Sequence, residues 1–234
     1  MEDFTELVKT VQAYDWGRSG AVLLAIDAEI RKVAGHPDHA AKLEEALLEV
    51  LRSDASLAAK RGVCKRLGLI AGEPSVPLLA AMLTGAGTSD MARYALERIP
   101  SGAADAALRE ALPKTRGRTR VGIINSIGNR RDTRAAAALG NLLGDSDEAV
   151  AQAAAWALGR IGGAEAVRLL AARKDAAPGR VRSEILDAYL VCAGRLASEG
   201  KKAEAAAIYR ELNTERMPAP IRRAASLGIK AAGG

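Results

Sequence analysis

Residues 145–162 read DSDEAVAQAAAWALGRIG. Apolar residues recur three and four apart between Ala149 and Ile161, the spacing that places side chains on one face of a helix. Ser146 or Asp147 stands where a short side-chain oxygen can accept the free N–H groups of a first turn. Gly162 and Gly163 stop the helix, because glycine reaches the left-handed conformation common at helix ends.

The frame recurs on both sides. With Ile161 as anchor, Leu158 stands three residues before it; Ile70 with Leu67, Ile99 with Leu96, and Ile127 with Ile124 repeat the relation. The anchors are roughly 28 to 34 residues apart, a period that marks stacked repeats. Asp54 and Ser56 precede Ile70 at the offsets by which Asp145 and Asp147 precede Ile161. A weaker frame continues at Tyr189 and Cys192, and again near Leu227. Shorter apolar helices are expected between the anchored ones, over 74–83, 103–112, 132–143 and 164–173. Each unit is then a pair of antiparallel helices that cannot bury its apolar faces alone, and stacking makes one continuous core.

These features carry a resemblance. The D-x-[DS] pattern before the second helix and the A-L-G-x-I-G ending, complete at 157–162, resemble the HEAT-repeat family, including the short repeats of the phycobilin-lyase type. The likeness is strongest over 54–173. The segments MARYALERIP, GIINSIGNRRD and KKAEAAAIYREL are similar to HEAT proteins of environmental bacteria. The resemblance implies an all-α fold, a right-handed α–α superhelix (a HEAT-like solenoid) of about seven helix pairs. It also implies an armadillo-like interaction scaffold, although such arrays serve many unrelated partners. A bilin-lyase-like enzyme is a third reading, suggested by repeat type alone.

The expected organisation is one array over 1–234. Residues 1–35 form an N-terminal capping pair, with a helix over 2–14 and another from Ser19 to about Ala34. Regular repeats fill 36–179, beginning with helices over 38–52 and 56–71. Pro74 and Pro77 fall in a first turn, where a missing N–H costs least. A helix over 90–99 ends at Pro100. Gly117 weakens helix formation, so the next anchored helix is expected from about Thr119. Residues 180–234 are longer helices, 180–199 and 201–212 about a turn at Gly200. There the spacing of Tyr189, Cys192, Ala193, Leu196, Gly200, Ala205 and Tyr209 has a tetratricopeptide flavour. Pro218 and Pro220 open a last helix over 221–232, whose Ile221, Leu227 and Ile229 could face a further repeat. The closing AAGG reads as a frayed end or a cut through a longer array.

Composition narrows function by exclusion. Hydrophobic residues make up 49% of the chain and aromatics 3%, so the core must be built from small aliphatics. No apolar run approaches the ~20 residues that span a bilayer. The polar start, MEDFTELVKT, is no signal peptide. The chain reads as cytoplasmic as written, and as exported or periplasmic where Met1 replaces a cleaved leader. Cys64 and Cys192 lie several repeats apart, so they read as buried thiols and not a disulfide. His36 and His39, in H-P-D-H, are the only histidines. They have no cysteine nearby for a metal site and read as surface residues. A Ser-His-Asp or Cys-His arrangement has no candidate, and no glycine-rich phosphate loop follows a strand. No catalytic residue, metal or cofactor is expected, and the chain does not read as an enzyme.

Two surfaces remain. HEAT proteins usually present the second, anchored helix on the concave side. Positions nine, five and two before the anchor share a face by i, i+4, i+7 spacing. They carry Arg61, Asp90, Arg118 and Gln152; Lys65, Tyr94, Gly122 and Trp156; and Gly68, Glu97, Asn125 and Gly159. Arg61, Lys65, Tyr94, Arg118, Asn125, Gln152 and Trp156 are therefore the expected partner-binding residues, aromatics beside arginine being common interface anchors. The alternative is that both rings fill a crowded gap between repeats. Lys60, Arg61, Arg118 and Arg182 also match the place where HEAT repeats carry a basic ladder, with Asp54 and Asp145 as acidic members. The second surface is Arg116, Arg118, Arg120, Arg130, Arg131 and Arg134, a possible phosphate-binding edge for nucleic acid or a solvated surface. The net charge of +6 permits a nucleic-acid or acidic partner without demanding one. The aromatic interleaving expected for single strands is missing.

Overall fold

The computed structural model describes residues 4–33 and 35–232. The expected helical residues 2–3, the helix end at Ala34 and the closing Gly233 and Gly234 lie outside them. Among the described residues the chain forms fourteen α-helices and no strand. In order these are α1 Thr5–Gln12, α2 Ala21–Lys32, α3 Pro37–Arg52, α4 Leu57–Ile70, α5 Val76–Met82, α6 Ser89–Leu96 and α7 Gly102–Ala111. They continue as α8 Gly117–Arg130, α9 Ala136–Leu142, α10 Glu148–Ile161, α11 Gly163–Arg173, α12 Gly179–Ser198, α13 Lys202–Leu212 and α14 Ala219–Ala231. Single 3-10 turns at Glu73–Ser75 and Thr133–Ala135 lead into α5 and α9.

The chain divides into two compact units, Met1–Ser126 and Ile127–Gly234. In the first, α1, α3, α5 and α7 form one row in which each helix packs on the next. The helices α2, α4 and α6 form the second row. Leu43, Leu47, Val63, Leu67, Leu79, Leu96 and Leu108 are buried where the rows meet. In the second unit α9 packs on α11, while α10, α12 and α14 succeed one another in the other row. Its core holds Ile127, Leu139, Leu158, Leu170, Ile185, Leu186 and Leu212. This is the α-solenoid arrangement, in which an amphipathic helix gains its stability from neighbours and not from propensity.

Local chemistry sets the helix ends. The Asp147 carboxylate accepts from the Ala149 N–H at 3.0 Å, and Ser56 Oγ accepts from the Ala59 N–H at 3.1 Å. Gly162, at φ +68°, closes α10 and opens α11 without a connecting loop. Gly200, at φ +82°, reverses the chain after α12. At the end of α8 the Asp132 N–H reaches the Ile127 carbonyl and the Arg131 N–H reaches that of Gly128, the paired bonds of a Schellman motif. Arg131 occupies its left-handed position, at φ +55°.

Two boundaries and one side-chain ladder differ from expectation. Helix α8 begins at Gly117, two residues before Thr119. Gly117 has φ +50° and enters the helix instead of sitting inside it, so no interior penalty arises. Helix α6 ends at Leu96, and residues 97–99 turn so that Ile99 stays buried. The expected basic ladder also shifts. Arg61 and Arg118 are exposed, and the cross-links between helices come from the half-buried Arg66, Arg93 and Arg195. Arg66 donates to the Leu23 carbonyl at 3.0 Å and pairs with Asp27 at 2.7 Å. Arg195 Nη1 donates to the carbonyls of Arg160 and Ile161 at 2.7 and 2.9 Å. Arg66 and Arg195 satisfy backbone carbonyls of the preceding second-row helix, and Arg93 satisfies one of the following helix α8, where a bare carboxylate would need desolvation of both charges.

Candidate functional site

The expected partner face lies on the second-row helices. In the first unit Arg61 and Lys65 stand exposed on α4, and Arg118 is exposed at the start of α8. Tyr94 and Asn125 are half-buried. In the second unit Gln152 and Trp156 are half-buried on α10. Of the positions nine before the anchor, Arg61, Asp90 and Arg118 are exposed and Gln152 is half-buried; of those five and two before it, only Lys65 is exposed. Gly122 and Gly159 are buried.

Both rings sit over glycines. A Cβ at Gly68 would stand 3.3 Å from the Tyr94 ring, and one at Gly128 would stand 2.8 Å from the Trp156 ring. Each ring thus fills space left by a missing side chain on the preceding helix and keeps its outer edge accessible. Each is also followed by an arginine one turn on. The Arg98 guanidinium lies 3.6 Å from the Tyr94 ring centroid and donates to the Tyr94 carbonyl at 2.8 Å. The Arg160 guanidinium lies 5.7 Å from the Trp156 centroid. Cation–π attraction favours this stacking. The doubled motif, aromatic-x-x-x-Arg at matching repeat positions, is visible in the sequence and is the signal that points to Arg98 and Arg160.

Beneath the face in the first unit lies a polar cluster. Arg93 donates to the Gly122 carbonyl at 3.0 Å and to Ser126 Oγ at 3.1 Å, and it pairs with Asp90. Ser126 donates to the Glu97 carboxylate at 2.6 Å. Gln152, in the second unit, donates to Glu148 at 3.1 Å.

The basic edge is uneven. Arg116, Arg118, Arg131 and Arg134 are exposed, while Arg120 and Arg130 are half-buried. Arg120 Nε donates to the Thr115 carbonyl at 2.6 Å, which closes the turn before α8.

Among the described residues no group of three or more His, Cys, Asp or Glu could hold a metal ion. His36 is exposed, and His39 packs edge-on against Phe4 at 5.3 Å, its Nε2 3.6 Å from Glu29. Burial pushes the Cys64 thiol up to about 12 against the pull of Arg61 and Lys60. Burial likewise pushes Cys192 up to about 11. Neither thiol is a ready nucleophile at neutral pH. No helix among the described residues is long and apolar enough to cross a membrane.

Comparisons with known proteins agree with this geometry. A solved structure concerned with lipid–protein interactions in lipovitellin superposes at a TM-score of 0.62 with 17% identity, over 94% of this chain and 28% of that one. This chain therefore spans little more than a quarter of that relative's length. The crystal structure of an engineered protein superposes at a TM-score of 0.51 with 18% identity, over 98% of this chain and 68% of that one. At these identities the likeness shows the fold alone. No curated protein matches the chain in sequence. A family model for HEAT repeats matches residues 104–189, the stretch that holds Arg118, Asn125, Gln152 and Trp156. Over residues 104–189 the chain is built of HEAT repeats.

Proposed function

We propose that the chain is a non-catalytic protein-interaction scaffold and that the second-row helices carry its partner face. Repeat folds of this kind commonly serve as scaffolds. The observation that carries the reading is the pair of half-buried aromatics, Tyr94 and Trp156, each stacked with an arginine one turn on. A ring wedged over a glycine is already ordered, so a partner covering its outer edge loses little conformational entropy on binding. In the first unit Arg61, Lys65, Arg118 and Asn125 are the polar members that accompany Tyr94, and in the second Gln152 stands one turn before Trp156.

The test compares wild type with a Tyr94→Ala/Trp156→Ala variant as bait in native lysate, both shown by circular dichroism to be helical. A protein retained by wild type and lost by the variant is the expected result. Equal retention by both would place the interface elsewhere.

A further inference from the structure

We infer that the groove between the C-terminal halves of α10 and α12 is a docking site for a carboxylate-rich peptide segment that carries an aliphatic side chain. The inference rests on the scaffold reading and deepens it by naming the partner's chemistry. The groove lies wholly within the second unit. Arg131, Arg160 and Arg195 line it, together with Val191, Gly159 and Gly194.

Charge is the first argument. No ion pair of Arg131 or Arg160 occurs among the described contacts. The groove's one carboxylate, Glu199, is shared between Arg195 at 3.5 Å and Lys201 at 3.1 Å. Positive charge is thus left over. The acidic side chains Glu184 and Asp187 lie a turn or more before Val191 along α12, so the basic character is confined to one end of the groove.

Shape and preorganisation are the second argument. Val191, a β-branched side chain of the same lining, is 54% exposed. Gly194 is exposed, and a Cβ placed there would meet only the Tyr209 hydroxyl, at 3.7 Å. Arg195 is held by two carbonyls at the end of α10, and Arg160 lies beside the Trp156 ring. Two of the three guanidiniums are therefore anchored before a ligand arrives. Guanidinium forks suit carboxylates geometrically, and an aliphatic side chain between the carboxylates would cover Val191. A partner of like charge or of pure polarity would leave either the arginines or Val191 unmatched.

The experiment measures fluorescence anisotropy of the full chain with a labelled octapeptide of alternating glutamate and leucine, beside its glutamine–leucine analogue. The acidic peptide is expected to bind at least about tenfold more tightly than the analogue. Arg131→Gln/Arg160→Gln should weaken it about tenfold, and Arg222→Gln/Arg223→Gln on α14, which removes the same charge elsewhere, less than about twofold. Val191→Asp should also weaken it. Thermal melts check that each variant is folded. Equal affinity for the two peptides, or equal losses in the two arginine variants, would overturn the inference. So would a labelled oligothymidylate of equal charge that binds tighter and loses affinity in the groove variant. If the peptide fails while lysate capture still depends on Tyr94 and Trp156, the acidic-peptide assignment falls and the scaffold reading stands; if both fail, both fall.

Discussion

Arg131 is the one non-glycine residue among those described whose φ is positive. It holds the place that glycine takes at most helix ends of this geometry. An L-residue there costs about 1–2 kcal/mol, because its Cβ crowds the following carbonyl. Its side chain is exposed and lies at the proposed groove. The paired backbone bonds of the turn hold the residue there, and the glycine that would relieve the strain would remove a guanidinium from the proposed groove. Arg131→Gly should raise the unfolding free energy by about 1 kcal/mol with the denaturant slope unchanged. Urea titration followed by circular dichroism reads both quantities. A variant less stable than wild type would show that the arginine side chain holds the turn. The same substitution should weaken the acidic peptide, so stability and binding would move in opposite directions.

The element scale is where helices of the second unit are tied together. Lys174, just past the end of α11, is only 7% exposed. It reaches Glu211 of α13 and Asp175, each at 2.9 Å. Tyr189 of α12 donates to the same Glu211 carboxylate at 2.8 Å. One carboxylate thus joins three helices. Burial works to lower the Lys174 pKa, but the hydrogen bonds that Lys174 donates to Glu211 and Asp175 outweigh it and hold it above 10.5. Burial and then the Glu211 bond push Tyr189 up as well. Both groups have folded values above their unfolded ones, so their contribution is complete below about pH 10 and fades as pH rises through the folded values. Glu211→Gln should cost about 1–3 kcal/mol at pH 7, since Asp175 still partners the lysine. The gap between wild type and variant should narrow above pH 10.5. A gap that stays constant with pH would mean that the cluster acts through packing alone.

Much of this scale was legible in the sequence. The caps at Ser56 and Asp147, the stops at Gly162 and Gly200 and the helix pairs all follow from short-range rules that one helix obeys by itself. The Lys174–Glu211–Tyr189 cluster was not legible, because its members are 15 to 37 residues apart and meet only through packing. The groove was hidden for the same reason. Periodicity places Val191 and Arg195 on one face of α12, yet it cannot say that Arg131 and Arg160 stand opposite them. For Tyr94 and Trp156 it put both rings on one helical column but could not show the glycines beneath them.

At the scale of the molecule, stability in such an array is a sum of local terms, since each helix pair touches mainly its neighbours. The chain has two sets of buried side chains, one in each compact unit. Leu108, fully buried on α7, belongs to the first. Leu108→Ala should cost about 2–5 kcal/mol through lost burial and the cavity left behind. If the energetics are local, the loss falls on amides near the cavity, and native-state hydrogen exchange resolves it helix by helix. Protection in α5 and α7 should then drop by the full amount, while that in α12 and α13 changes by less than about 0.5 kcal/mol. A uniform drop would mean that the whole chain opens as one cooperative unit, as small two-state domains do. The distinction bears on recognition. Locally stable repeats can shift against one another by small amounts while each second-row helix keeps its own geometry. A partner face on such helices could then adjust in curvature without losing the ordered aromatic and arginine contacts that it presents.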